Sequence, residues 1–87
     1  MNEMTLEGLL RLGNSYYGLN EAKWLIVEVE VEGNAPEIII NPKENFKAKL
    51  EYYAKAYNDD LTLKANPNIK IVYYNFVESL DEYFNFK

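Results

Sequence analysis

The spacing of apolar residues changes several times along the chain and divides it into seven elements. From Met4 to Leu12 the leucines recur at helical spacing, with Thr5 as N-cap and Gly13 as the C-terminal stop, which predicts a short amphipathic helix. The following NSYYGLNE is turn-like, although Tyr16 and Tyr17 could carry the helix further.

The clearest strand is Lys23 to Glu32, which ends in VEVEVE. One face is wholly apolar and consists of Leu25, Val27, Val29 and Val31. The other begins apolar and ends acidic, with Trp24, Ile26, Glu28, Glu30 and Glu32. We therefore predict that the first half of the strand is covered on both sides and that the second half projects into water. A GNAP turn then leads into a second strand, Glu37 to Asn41, which indicates a hairpin.

A helix is predicted to start at Asn41-Pro42-Lys43-Glu44, which combines an N-cap, a proline at the first helical position and a capping-box glutamate. Asn58-Asp59-Asp60 ends it. Its core stripe consists of Phe46, Leu50, Tyr53, Ala54 and Tyr57.

Two short strands, Leu61 to Lys64 and Ile69 to Tyr74, are predicted next, joined by a connection of hairpin length. The alternation places Ile69, Ile71 and Tyr73 on one face and Lys70, Val72 and Tyr74 on the other. Asn75 and Glu78 repeat the capping-box spacing and predict a last helix from Phe76 to Phe84. Its inward residues are Phe76, Val77, Leu80 and Phe84.

The predicted fold class is α+β, in the order αββαββα, with a mainly antiparallel sheet of about four strands packed by helices. Residues 1–87 form one domain, because a chain of 87 residues with 48% hydrophobic content suffices for a single core.

Composition narrows the function. The chain has no histidine, no cysteine and no Gly-rich phosphate loop, so we expect a non-enzyme without catalytic, cofactor-binding or metal-binding residues. Its net charge of −5 argues against direct binding to nucleic acid or to an anionic membrane and favours a basic protein partner. The lack of a long apolar run and of cysteines suggests a cytoplasmic protein.

Two sets of side chains are candidates for partner binding. Carboxylates on alternate strand residues lie about 6.7 Å apart, not far from the spacing of phosphates along a nucleic-acid strand, so Glu28, Glu30 and Glu32, extended by Glu37, could occupy a Lys and Arg groove. The alternative is an ordinary solvated sheet face. Adjacent tyrosines cannot all point inward, so Tyr52 and Tyr74 could be interface anchors; the alternative is a second layer of core.

In size, charge and strand-plus-helix make-up, the whole chain resembles the small acidic phage or mobile-element proteins of the anti-CRISPR type. The resemblance implies stoichiometric inhibition of a host nucleic-acid-handling defence protein by occupation of its basic groove. The glutamates would be charge contacts and the exposed tyrosines anchors. The competing hypothesis is a structural or assembly protein that forms a homodimer, or docks in a larger complex, through a strand edge and tyrosines.

Overall fold

The computed structural model describes residues 4–15 and 21–84, so the predictions for Tyr16 and Tyr17 lie outside the described residues. The elements are α1 (Leu6–Asn14), β1 (Trp24–Val31), β2 (Glu37–Pro42), a 3-10 turn (Lys43–Asn45), α2 (Phe46–Ala56), β3 (Thr62–Leu63), β4 (Asn66–Val77) and α3 (Leu80–Phe84). This confirms the α+β class and the predicted order of helices and strands.

The four strands form one antiparallel sheet in the order β2-β1-β4-β3. β1 is central, with Val27 opposite Ile39 of β2 on one side and opposite Tyr74 of β4 on the other. The predicted β1–β2 hairpin is therefore confirmed, and β2 lies at an edge of the sheet.

The main core lies between one face of the sheet, here called the inner face, and the helices α1 and α2. The largest of its fully buried side chains are Leu9, Leu25, Val27, Phe46, Leu61 and Ile71. The rings of Phe46 and Phe76 meet edge to face, with centroids 5.1 Å apart. Gly13 is buried within α1 and does not end it, because the helix continues to Asn14. The predicted stop at Gly13 is thus wrong.

A smaller core lies on the other face of the sheet, here called the outer face, under α3. It contains buried Ile26, Val77 and Tyr83, with Trp24, Tyr73 and Leu80 packed around them. The first half of β1 is therefore covered on both sides, whereas Val31 near its end is 38% exposed, as predicted.

The predicted start of the middle helix is wrong. β2 continues through Asn41 to Pro42, and α2 begins only at Phe46, after the 3-10 turn. Asn41 is buried, and its side-chain amide donates to the Leu25 carbonyl at 3.4 Å instead of capping a helix. Pairing with Leu25 in the sheet prevails over the local capping signal. Within the predicted stripe, Ala54 is exposed.

The predicted start of the last helix is also wrong, because β4 extends through Phe76 to Val77. These two residues pair with Leu25 and Trp24 and are buried on opposite faces of the sheet. α3 starts at Leu80, after Ser79, whose hydroxyl accepts a hydrogen bond from the Asp81 amide at 3.1 Å. The inward residue at the end of α3 is Tyr83, whereas Phe84 is exposed.

A β-bulge in β4 changes which tyrosine faces which side. Glu28 lies opposite Tyr73 but the next residue, Val29, lies opposite Ile71, so Val72 is the extra residue. Tyr74 therefore shares the inner face with the isoleucines of β4, and Tyr73 lies on the outer face. The predicted alternation had placed them the other way round.

Candidate functional site

The most exposed part of the described chain is the end of the β1–β2 hairpin. Residues 30–37 are all exposed and carry three carboxylates, Glu30, Glu32 and Glu37, without a lysine or arginine. We call this segment the acidic hairpin tip. Gly33, with φ +83°, takes the left-handed conformation of the turn, and the Asn34 amide donates to the Val31 carbonyl at 2.9 Å.

The four glutamates predicted as one row do not form one surface. Glu28 and Glu30 lie on the outer face of β1, and Glu32 follows the end of the strand. Glu37 pairs with Val29, so it projects on the inner side of the hairpin. The expectation that Glu37 extends the row on the same face is therefore wrong, because the register of the hairpin decides its side.

Glu28 differs from the other three because it is half-buried and hydrogen-bonded. The Tyr83 hydroxyl of α3 donates to its carboxylate. This hydrogen bond, together with burial, raises the pKa of Tyr83 to about 12. Glu28 thus contacts α3, whereas the three carboxylates of the acidic hairpin tip are exposed. Among the three tip carboxylates, Glu30 lies opposite a lysine, Lys70 of β4.

The middle helix separates its adjacent tyrosines as predicted. Tyr52 is 49% exposed, with the Lys49 ammonium 5.6 Å from its ring centroid, whereas Tyr53 is buried. Burial raises the pKa of Tyr53 to about 12, and the nearby Asn41 side chain opposes this rise only in part. The buried Tyr53 hydroxyl makes no hydrogen bond with the described residues. Tyr52 is therefore placed where a partner could reach it.

The second tyrosine proposed as an anchor, Tyr74, lies in a different setting. It is half-buried on the inner face, and its hydroxyl donates to the Thr5 carbonyl at 3.4 Å, next to Gly8 of α1. The structure thus brings neither tyrosine together with the outer-face glutamates.

An open groove of about 410 Å³ runs between α2 and the hairpin. Its walls include Val29 and Ile39 of the sheet and Lys49 and Tyr52 of the helix. Glu37, opposite Val29, lies on the same side of the hairpin as this groove. The inner side of the hairpin therefore combines a carboxylate, an aliphatic surface and an exposed tyrosine.

Sequence reasoning missed the exposed isoleucines of β2. Ile38 is 48% exposed and Ile40 is 37% exposed, both on the outer face, where α3 covers Ile26 but leaves them open. Three consecutive isoleucines suit a strand buried on at least one side, which Ile39 satisfies on the inner face, and they leave open whether the other side is covered. Only the strand order, which places β2 at the edge, could have shown that one face stays open.

The acidic turn after α2 is occupied by local hydrogen bonds. Asp60 accepts from the Thr62 amide at 3.1 Å and from the Thr62 hydroxyl, and these bonds lower the pKa of Asp60. Asp59 accepts from the amide of Glu7 at 3.4 Å, near the start of α1. Within the described ranges, no group of three or more acidic side chains is arranged to hold a metal ion.

Three comparisons with known proteins bear on identity. The chain matches no family model, no curated protein and no solved structure. In residues 4–15 and 21–84 there is also no helix of the length and apolarity needed to cross a membrane. The functional assignment therefore depends on the geometry of the surfaces described above.

Proposed function

We propose that this protein is a small interaction domain that binds a basic protein surface through the acidic hairpin tip. The observation that carries the proposal is the concentration of Glu30, Glu32 and Glu37 in one exposed segment without a lysine or arginine. A surface of this charge attracts a basic partner over long range and selects against acidic ones.

The placement of the carboxylates favours a groove over a flat patch as the partner surface. Glu30 projects from the outer face of the hairpin and Glu37 from the inner side. A flat basic surface would contact one of these sides, whereas a cleft lined with Lys and Arg on both walls would contact both. Clefts of that kind hold nucleic acid through its phosphates.

The mechanism proposed is stoichiometric inhibition. The tip enters the nucleic-acid groove of a host defence protein and excludes the natural ligand, as the resemblance to the anti-CRISPR type implies. Such inhibition needs no catalytic group; it needs affinity and a shape that fills the groove. Tyr52 and the groove beside it would supply apolar contact on the inner side.

The test compares two triple variants of equal charge. One carries Glu30→Gln, Glu32→Gln and Glu37→Gln in the tip, and the control carries Glu21→Gln, Glu44→Gln and Glu51→Gln, all exposed and outside it. Wild type and each variant are used as bait in host lysate at low and at high salt. The captured proteins are then assayed for nucleic-acid binding with and without one equivalent of the bait protein.

We expect wild type and control to capture a basic protein at low salt, to lose it at high salt, and to displace its nucleic acid. The tip variant should capture much less. If the tip variant captured and inhibited the same protein as well as wild type does, the tip would not be the binding surface and the proposal would fail.

A second candidate function, an assembly role, is favoured by a different observation. β2 is an edge strand that exposes Ile38 and Ile40. Exposed strand edges pair with other strands through main-chain hydrogen bonds and apolar contact, and such pairing persists at high salt. Salt dependence therefore separates the two candidate functions.

A further inference from the structure

Between Pro36 and its last residue, Pro42, the edge strand β2 lacks the lysines, prolines and bulges that usually protect a sheet edge. The edge of β2 that faces away from β1 pairs with no other described strand, and residues 37–41 contain neither lysine nor proline. Natural edge strands are usually blunted by such residues, by bulges or by shortness. At the opposite side of the sheet, β3 is only two residues long and pairs with β4 at Asn66 and Lys70.

Two prolines lie at equal distances on either side of Ile39 in β2. Pro36 and Pro42 lie three residues before and three residues after Ile39. A proline cannot donate to a strand ladder, so the two prolines limit any new pairing to residues 37–41. Two copies paired antiparallel about Ile39 therefore bring the whole available segment of each strand into register.

This register also matches side chains across the new pair. Ile38 of one copy lies opposite Ile40 of the other, so four isoleucines meet on the outer face, where they are otherwise exposed. Glu37 lies opposite Asn41, so no two carboxylates face each other directly. The symmetric registers centred on Ile38 or Ile40 are poorer, because they bring Pro36 or Pro42 opposite an isoleucine.

The charge of the chain is compatible with this arrangement. Two antiparallel hairpins point in opposite directions, and the turn at Asn34 is five residues from Ile39, so the two turns lie about 34 Å apart. The two Glu37 residues, each two residues from Ile39, lie about 14 Å apart. At physiological ionic strength charges are screened over about 8 Å. The repulsion between the tips is therefore small despite the net charge of −5 on each copy.

We propose that β2 pairs edge to edge with β2 of a second copy, antiparallel about Ile39, and joins the two four-stranded sheets into one. The pairing is isologous and closes as a dimer, because each copy uses its single β2 edge in the contact. The proposal uses the surface of the second candidate function and does not require the basic partner. Glu30 and Glu32 of each tip stay outside the paired segment, whereas Glu37 lies within it, opposite Asn41 of the second copy.

The first test is the molar mass of the protein alone, measured by light scattering over about a hundredfold range of concentration at low and high salt. We expect the mass to rise with concentration from 10.2 kDa to twice that value, also at high salt. Ile38→Lys should shift the protein to monomer. Val31→Lys is the matched control, because Val31 is 38% exposed but lies in β1, away from the edge, and it should remain dimeric.

The second test uses the absence of cysteine from the chain. Residues directly opposite each other in an antiparallel pair have Cα atoms about 4.5 to 5.5 Å apart, within disulfide range. Ile39→Cys should therefore form a disulfide-linked dimer on mild oxidation. Ile38→Cys should crosslink well only when mixed with Ile40→Cys, because two copies of residue 38 are about 8 Å apart in this register.

A protein that stays monomeric at every concentration would overturn the proposal. So would a dimer that is unaffected by Ile38→Lys and in which Ile39→Cys does not crosslink, since the interface would then lie elsewhere. Neither result affects the basic-partner proposal, which is measured by capture with the triple glutamine variant of the tip. Because that variant changes Glu37, which lies in the paired segment, its molar mass is compared with that of wild type. The two proposals therefore fail independently.

Discussion

The hydroxyl of Tyr83 in α3 donates a hydrogen bond to the carboxylate of Glu28 in β1, across 55 residues of sequence. α3 has only five residues, too few to be stable alone in water. Its position on the outer face depends on packing against Ile26 and Val77 and on this bond. Glu28 thus has a structural role, and the binding hypothesis concerns Glu30, Glu32 and Glu37.

Replacing Tyr83 with Phe should lower the free energy of unfolding by about 1 to 3 kcal/mol, because the half-buried Glu28 carboxylate loses its donor. Urea denaturation measures the change, and Tyr52→Phe, at an exposed site, serves as the control. A double-mutant cycle with Glu28→Ala should give a coupling energy of about 0.5 to 3 kcal/mol. A coupling energy near zero would mean that the bond contributes nothing to stability.

Stability should fall in strongly alkaline solution. The pKa values of Tyr53 and Tyr83 are raised from 10.0 to about 12, the first by burial and the second mainly by the Glu28 carboxylate. The folded state therefore holds these protons more tightly than the unfolded state does. The resulting stability is fully present below pH 10.0 and is lost as the pH rises toward about 12.

This pH dependence can be followed by tyrosinate absorbance together with circular dichroism. Part of the tyrosine signal should titrate late and coincide with unfolding, and in Tyr83→Phe the late fraction should be smaller. If all tyrosines ionised near pH 10.0 while the protein stayed folded, the proposed environments of Tyr53 and Tyr83 would be wrong.

Sequence predicted the elements whose signals are local. Thr5 caps α1 as expected, with its hydroxyl accepting from the Gly8 amide at 3.0 Å, and the alternation in β1 gave its faces correctly. The failures occurred where sheet pairing competes with a capping pattern. Asn41 and Asn75 both have the spacing of a helix start, but both stay in strands, because Asn41 is itself buried opposite Leu25 and Asn75 is followed by buried Phe76. Local propensity is weak compared with that burial.

The candidate site was predicted less completely because it depends on relations between strands. The side on which Glu37 projects follows from the hairpin register, and the faces of Tyr73 and Tyr74 follow from one bulge residue, Val72. The exposure of Ile38 follows from the position of β2 at the edge. None of these relations is encoded in the spacing of residues along one strand.

Gly13→Ala should destabilise the protein although alanine is the better helix former. A Cβ at this position would lie 2.5 Å from Leu50 Cδ1 and 3.0 Å from Phe76 Cζ, both in the main core. Overpacking a core costs about 1 to 3 kcal/mol, which matches or exceeds the helix-propensity gain of about 1 kcal/mol. Thermal unfolding measures the difference, and Leu50→Ala in the same chain should reduce the penalty by making room. An unchanged or higher melting temperature in Gly13→Ala alone would contradict the close packing of α1 on α2.

The valines of VEVEVE should show a gradient of stability along β1. Val27 is fully buried, Val29 is 9% exposed and Val31 is 38% exposed, because the strand leaves the core toward the acidic hairpin tip. Val27→Ala should lower the free energy of unfolding by about 2 to 3 kcal/mol through lost burial and a cavity. Val31→Ala should change it by less than about 0.5 kcal/mol, and Val29→Ala should lie between them.

Urea denaturation of the three variants measures this gradient, and capture of the basic partner by the folded variants provides the contrast. Since the valines carry no charge and alternate with the glutamates, Val31→Ala should leave capture unchanged, whereas the triple glutamine variant of the tip should capture much less. Equal destabilisation by all three alanine substitutions would mean that the end of the hairpin is packed against something. In that case the tip would not project into water and could not enter a groove.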